Sequence, residues 1–242
     1  MGYSTREISK ITCIPRSTIQ HWIKGESKPP SMRWRPDSKD IEILSYILGV
    51  LDGDASSLET TNYRYKVKLE AIDREFVDTF SKALSKLLGK PYKKPIKLGN
   101  GRYYIEYHSK AFYTWHKKLT KQEKQKIIEH NKETVRQYLR GLYDSDGGNY
   151  RCKTISLSNS NDEILNYAKY LLKKYFNIKT SRPYIVVHKG EEKYFRNRGK
   201  NYKANVEVKN VYITRRRDVM KFLMEIGFTI KRKQRGESRR KN

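Results

Sequence analysis

Four aspartates stand in two copies of one frame. YILGVLDGDA carries Tyr46, Gly49, Asp52 and Asp54; YLRGLYDSDG carries Tyr138, Gly141, Asp144 and Asp146; both read Y-x-x-G-x-x-D-x-D. Paired carboxylates are the groups that hold a hard divalent cation, and Mg²⁺, with its demand for oxygen ligands, is the natural choice. The plainer alternative, carboxylates that cap helices or form Asx turns, explains one such site better than two in the same frame.

The elements that position these aspartates follow from spacing. Ile43, Leu44, Ile47, Leu48, Val50 and Leu51 fill most of a helix surface, with Ser38 or Asp40 as N-cap. Val135, Tyr138, Leu139, Leu142 and Tyr143 recur at helical intervals before the second pair. Gly49 and Gly141 fall mid-helix, where glycine costs about 1 kcal/mol relative to alanine. Close approach of another backbone explains them, and each is the obvious partner of the other. Two helices packed glycine on glycine bring Asp54 and Asp146 side by side at two C-terminal ends, where they repel each other and face negative dipole ends. A bridging cation makes that arrangement favourable.

The repeat extends beyond the frames. TNYRYKVKLEAID leads into the helix DREFVDTFSKALSKLLGK, and RCKTISLSNSN into DEILNYAKYLLKKYFN. Phe76, Val77, Phe80, Leu84 and Leu88 match Ile164, Leu165, Ala168, Leu172 and Phe176 at a constant offset. Two further strands and a helix close each copy, with the very basic loop GEEKYFRNRGKNYK between the last two strands of the second. In YRYKVKLEA, Arg64, Lys66 and Lys68 alternate with Tyr65, Val67 and Leu69, so period 2 puts the bases on one face and the apolar set on the other. Such a sheet suits a duplex groove.

Charge agrees. The 242 residues hold 53 Lys and Arg against 26 Asp and Glu, a net +27 that calls for a polyanion partner. Nineteen tyrosines interleaved with these bases suit stacking on nucleotides. Cys13 and Cys152 are too few and too far apart for a disulfide scaffold or a zinc site, and a reducing intracellular compartment (cytoplasm or nucleoid) fits. No apolar run approaches the roughly 18 to 20 residues of a membrane span, so no membrane partner is expected. The start lacks a signal-peptide core, and Arg6 stands where a myristoylation signal has Ser or Thr.

With the frames, the repeat and the strand order in place, the sequence closely resembles the LAGLIDADG homing endonucleases in their monomeric, two-motif form. ILGVLDGDA (Ile47 to Ala55) and LRGLYDSDG (Leu139 to Gly147) match the nine-residue motif, and the similarity covers about residues 41 to 230. The resemblance implies an α+β fold: two pseudo-symmetric αββαββα halves form a DNA-binding saddle, with the motif helices as their interface. It implies that Asp54 and Asp146 bind Mg²⁺, with Mn²⁺ as the substitute, and that backbone oxygens of Gly53 and Ser145 contribute. It implies double-strand DNA hydrolysis at a long asymmetric site. The family often adds an amide and a lysine near the centre. The amide positions hold Ala71 and Ile72 in the first copy, Asn159 and Ser160 in the second; Lys121 and Lys233 are the candidate catalytic lysines. Ala55 replaces the closing glycine of the first motif, and Leu48 the usual small residue. An asymmetry of this kind would leave one strand cut more slowly.

The domain reading is then a helix-turn-helix over 1–28, a linker over 29–39, a first half over 40–131, a second over 132–230 and a basic tail over 231–242. In the first segment Thr5 or Ser4 caps a helix carrying Ile8 and Ile11, Cys13-Ile14-Pro15 turns, and a second helix buries Ile19, Trp22 and Ile23 before Gly25. Arg16, Ser17, Thr18, Gln20 and His21 are the types expected on a recognition helix. Expected DNA contacts are these five with Arg64, Lys66, Lys68, Asn159, Arg196 and Arg198. Two rival readings keep the fold: a regulator that binds DNA without cutting, and a maturase acting on host intron RNA. A basic structural RNA-binding protein is a third, and would not need the paired aspartates.

Overall fold

A computed structural model of the chain describes residues 3–12, 14–27, 38–61, 64–195 and 200–237. Two helices, α1 (Thr5–Thr12) and α2 (Arg16–Ile23), come first. The first repeat runs α3 (Ile41–Asp52), β1 (Ser56–Thr60), β2 (Arg64–Ala71), α4 (Arg74–Leu88), β3 (Ile96–Lys97), β4 (Tyr103–His108) and α5 (Lys110–Lys118), followed by α6 (Lys121–Ile128). The second runs α7 (Lys132–Asp146), β5 (Gly147–Tyr150), β6 (Thr154–Asn159), α8 (Asp162–Phe176), β7 (Tyr184–Val187), β8 (Glu192–Phe195), β9 (Lys200–Lys203), β10 (Val208–Ile213) and α9 (Arg216–Glu225), then α10 (Lys231–Gln234). With the β8–β9 ribbon set aside, each repeat is αββαββα.

Each half makes one antiparallel four-stranded sheet, in the orders β1-β2-β4-β3 and β5-β6-β10-β7. Strand alternation decides which face is covered. Val67, Leu69 and Ala71 of β2, Ile105 and Tyr107 of β4, Ile155 and Leu157 of β6, and Val211 and Ile213 of β10 are all buried. Against them lie Phe76, Val77, Phe80 and Leu84 of α4 in one half and Leu165, Ala168, Leu172 and Phe176 of α8 in the other, within one continuous apolar core. The intervening strand residues, Lys66, Lys68 and Glu70 among them, are left half-buried on the open face. Helix ends obey local chemistry: Asn131 and Thr134 form a capping box at α7, and Gly89 and Asn177 end α4 and α8 in the left-handed region.

The two halves exchange their trailing elements. Lys121 of α6 pairs with Glu163, near the start of α8, at 3.0 Å. Glu129, just past α6, accepts from Tyr167, Tyr170, Lys174 and Tyr175 of α8. Reciprocally, the α10 backbone N–H of Lys231 donates to Glu75 near the start of α4 (2.8 Å), and Arg232 clasps Asp73 with two hydrogen bonds of 2.7 and 2.6 Å. A planar guanidinium on a carboxylate is the geometry that fixes orientation as well as proximity.

Two sequence expectations change. The stretch expected as a basic loop is in part a ribbon, with Glu192 opposite Lys203 and Phe195 opposite Lys200, because residues 192–195 and 200–203 pair their backbones. Arg196 and Arg198 lie outside the described residues, as do Cys13, nearly all of the linker and the end of the tail. In the N-terminal segment, Ser4 and Glu7 exchange hydrogen bonds at the start of α1, and Gly25 follows α2 with φ +74°. Of the apolar residues expected inside, only Ile19 is buried; Ile11 and Ile23 are 68% and 67% exposed. Two eight-residue helices enclose only the side chain between them.

Candidate active site at the helix junction

The glycines do what their placement suggests, with one correction: each meets the other helix's tyrosine carbonyl rather than its glycine. A Cβ built on Gly49 would lie 2.1 Å from the Tyr138 oxygen and 2.9 Å from the Leu142 nitrogen. A Cβ on Gly141 would lie 2.3 Å from the Tyr46 oxygen and 3.1 Å from the Val50 nitrogen. These contacts are related by the repeat, so α3 and α7 cross about a local pseudo-twofold axis. Gly53, just past α3, comes equally close to the other motif end: a Cβ there would lie 2.4 Å from Ser145 Cβ and 3.2 Å from Asp146 Oδ2.

The four aspartates divide into two kinds. Asp52 and Asp144 point into the helix interface and are tied across it. Tyr138 donates its hydroxyl to Asp52 Oδ2 at 2.7 Å, and Tyr46 donates to Asp144 Oδ2 at 3.2 Å. Lys124 of α6 also pairs with Asp52. Thr229 donates its backbone N–H (2.9 Å) and its hydroxyl (2.7 Å) to Asp144. Burial nonetheless raises the Asp144 carboxyl to about 6. One aspartate of each pair is therefore tied across the interface, which is neither the helix cap nor the Asx turn of the plainer alternative.

Asp54 and Asp146 are the others. Asp54 is exposed at the end of its motif. The Asp146 carboxyl is pushed up to about 7, first by burial and then by the negative charge of Asp54; Asn159 and Lys233 act in the opposite direction. Asn159 lies on the helix-facing side of β6, continuing Ile155 and Leu157, and donates to Asp146 Oδ2 at 2.7 Å. This corrects its expected place on DNA: the strand's parity turns it to the carboxylate instead. Ala71 takes the matching place at the end of β2, buried and with no polar group to offer.

Lys233 is buried, with its ammonium 2.6 Å from the Asp144 carbonyl and 3.4 and 3.5 Å from those of Tyr143 and Ser145. It thus caps the negative end of α7. Burial lowers its pKa to about 8. A cation on the Ser145 oxygen would share it with this ammonium. Lys121 sits instead on the outer ion pair with Glu163, and Lys124, three residues on, is the lysine that meets the first motif. His116 of α5 is near this Lys124–Asp52 pair; burial and then the Lys124 charge hold it at about 4, hence neutral. Among the DNA-contact candidates, Arg64 is exposed and Lys66 and Lys68 lie on the open sheet face. On α2, Arg16, Ser17, Gln20 and His21 are exposed, with His21 paired to Glu26 and Thr18 partly covered.

Sequence reasoning passes over Tyr46 and Tyr138, although both stand at the head of the repeated frame. Thr229 and Lys124 have no comparable signal: nothing local separates them from their neighbours.

Do the residues present suit a divalent ion? Among the described residues no group of three or more His, Cys, Asp or Glu side chains converges as a self-sufficient metal site. Two carboxylates whose charges disfavour each other fit a Mg²⁺-like ion that keeps water and takes further oxygens from a phosphate.

Two glycine-packed helices that end in paired carboxylates beneath twin antiparallel sheets define the LAGLIDADG class of protein. A LAGLIDADG-like domain is matched over residues 133–227. An uncharacterized protein of Methanocaldococcus jannaschii is 30% identical over 233 residues, covering 94% of this chain and 82% of that one. A second uncharacterized protein of the same organism is 31% identical over 143 residues, 55% of this chain and 54% of its own. The chain belongs to the LAGLIDADG family. Its fold is that of the homing endonuclease I-DmoI, solved among other forms in complex with DNA and Mn (TM-score 0.56, 19% identity, 78% of this chain and 97% of that chain). The N-terminal LAGLIDADG domain of DUF199/WhiA is similar too (TM-score 0.51, 18% identity, 84% of each chain).

Proposed function

We propose that this chain is a site-specific, Mg²⁺-dependent endonuclease of double-stranded DNA, working as a monomer on a long asymmetric target. One observation carries the reading: α3 and α7 are held so close that the charge of Asp54 adds to burial in raising the Asp146 carboxyl to about 7, a cost that a shared cation removes. Asp54 and Asp146 hold that ion, with the Gly53 carbonyl beside them. The ion, when bound, supplies an activated water and stabilises the leaving 3′ oxygen.

The remaining work belongs to the chain. Asn159 fixes the Asp146 carboxylate, the cross-helix Tyr138–Asp52 and Tyr46–Asp144 bonds hold the two motif ends in register, and Lys233 braces the end of α7. The open sheet faces carry Arg64, Lys66 and Lys68 to the groove, and the excess positive charge engages phosphates. The N-terminal helix pair, with Arg16, Ser17, Thr18, Gln20 and His21, reaches flanking DNA. Among the described residues no helix is long and apolar enough to cross a membrane.

The test is to incubate the purified chain with a randomised double-stranded DNA library, with Mg²⁺ or Ca²⁺, and to sequence bound and cut molecules. Discrete double-strand cuts at one long site, with Mg²⁺ only, are expected. Asp54→Asn and Asp146→Asn should each lower cutting by about 10²-fold or more while binding persists. Loss of binding in both, with the fold intact, would overturn the metal role. Ala71, where the other half has Asn159, favours a binding-only reading as the second choice; tight, specific binding without cuts would select it. Preference for structured RNA over every DNA would select the maturase.

A further inference from the structure

The two sheets present different chemistry on their open faces. On the first, the antiparallel register sets Lys68 opposite Glu106, Lys66 opposite His108 and Glu70 opposite Tyr104. Lys66 Nζ is 2.9 Å from Glu106 Oε2, and Tyr104 donates its hydroxyl to the same oxygen. Those two bonds pull the Glu106 carboxyl down to about 2, so it stays charged. Just before β4, Arg102 pairs with Glu70 at 2.9 Å and donates to the Glu70 carbonyl at 2.9 Å. Long cations held by carboxylates have already given up much of the rotamer freedom that binding would cost.

The second sheet has none of this on the matching face. Ser158 stands opposite Asn210 and Ser156 opposite Tyr212, with Asn210 flanked on its other side by Tyr184. Thr154 pairs with Tyr150, and Gly148 with Ser156. These side chains are hydroxyls and one amide, without an acid or a base among them. Asn210 donates to the Tyr212 hydroxyl at 2.9 Å, while its own carbonyl oxygen is buried and accepts no hydrogen bond. The β10 lysine, Lys209, is turned to Asp162 and Glu207 instead.

In a major groove, Arg and Lys favour the acceptor pair of guanine and a carboxylate favours the cytosine amine, whereas an amide favours adenine and a hydroxyl accepts any base. We propose that the two sheets read their half-sites by different chemistry: the first selects G·C pairs through Lys66, held by Glu106, Arg102, held by Glu70, and the neighbouring Lys68, while the second discriminates less and leans to A·T through Asn210, Ser156, Ser158 and Tyr212. This inference rests on the DNA-binding reading above. Glu106 is then a positioning residue for specificity, and its charge aims Lys66 instead of only repelling phosphate.

Binding selection on the same library, with the full chain in Ca²⁺, tests it. The wild-type motif should split into a G·C-rich, sharply defined half and an A·T-leaning, weaker half. Glu106→Gln and Lys68→Ala should each flatten preference about tenfold at one or two base pairs of the first half only. Asn210→Ala should do so in the second half only. These side chains are on the open faces and not in the core, so the fold should survive, and melting temperatures within a few degrees of wild type for each variant would confirm it. Equal G·C content in both halves, or a change in both halves from Glu106→Gln, would overturn the split while leaving DNA recognition standing. Absence of any enriched sequence would refute DNA recognition itself and the split with it.

Discussion

At the scale of single residues, the motif aspartates are distinguished by which way the backbone turns them. Asp52 and Asp144 satisfy their oxygens inside the protein, while Asp54 and Asp146 raise each other's cost. This has a consequence in pH. Asp144 and Asp146 are held at about 6 and about 7, above the ~4 of an unfolded chain. The folded state binds their protons more tightly, so the contribution to stability is complete below ~pH 4 and is lost as pH rises through 6 and 7. Glu106, held at about 2, acts only on the acid side, so the comparison belongs above pH 5. The metal-free wild type should lose more melting temperature between about pH 5 and 7.5 than Asp146→Asn does, and Mg²⁺ should restore more of it at the upper end. Parallel melting curves for the two proteins across that range would show that Asp54 and Asp146 are uncoupled. That Asp54 and Asp146 stand close enough to feel each other's charge is legible from the frame; that Asp52 and Asp144 are fasteners is not, because their partners Lys124 and Thr229 come from distant segments.

Among the elements, the motif helices are the least tolerant. Neither glycine leaves room for a methyl group, since the neighbour in each case is backbone rather than a flexible side chain. Gly49→Ala or Gly141→Ala should force the helices apart and destabilise by at least the ~1–3 kcal/mol usual for overpacking, lowering the melting temperature by several degrees and cutting with it. A melting temperature within a degree of wild type would mean the helices can separate freely. The trailing helices differ in the same way. Lys124→Ala strips a partly buried partner from Asp52 and should cost about 1–2 kcal/mol by thermal unfolding, whereas Lys121→Ala removes an exposed pair and should fall within about 0.5 kcal/mol. An equal effect of the two would put both lysines on the surface. Helix existence and strand alternation are written in local periodicity; the β8–β9 ribbon is not, because its strands are four residues each and without apolar alternation.

For the whole molecule, charge and symmetry act together. With a net charge of +27 spread along the chain, DNA affinity should fall by about 10³-fold or more between about 50 and 200 mM salt, as expected when six or more phosphates are neutralised. A fall of less than tenfold would mean that few phosphates are held. Removing residues 1–36 should weaken binding and shorten the protected footprint; an unchanged footprint would exclude flanking contacts by the first two helices. The sequence by itself determined the duplicated α+β architecture, the two motif helices and the pair Asp54 and Asp146, because these are carried by periodicities and spacings that repeat along the chain. Only the tertiary structure decided which tyrosine meets which aspartate, that the Asn159 amide reaches Asp146, and that each half's last helix docks on the other half. Those outcomes join residues far apart in the chain, and among many lysines, tyrosines and threonines no local pattern marks the few that the fold brings to the junction.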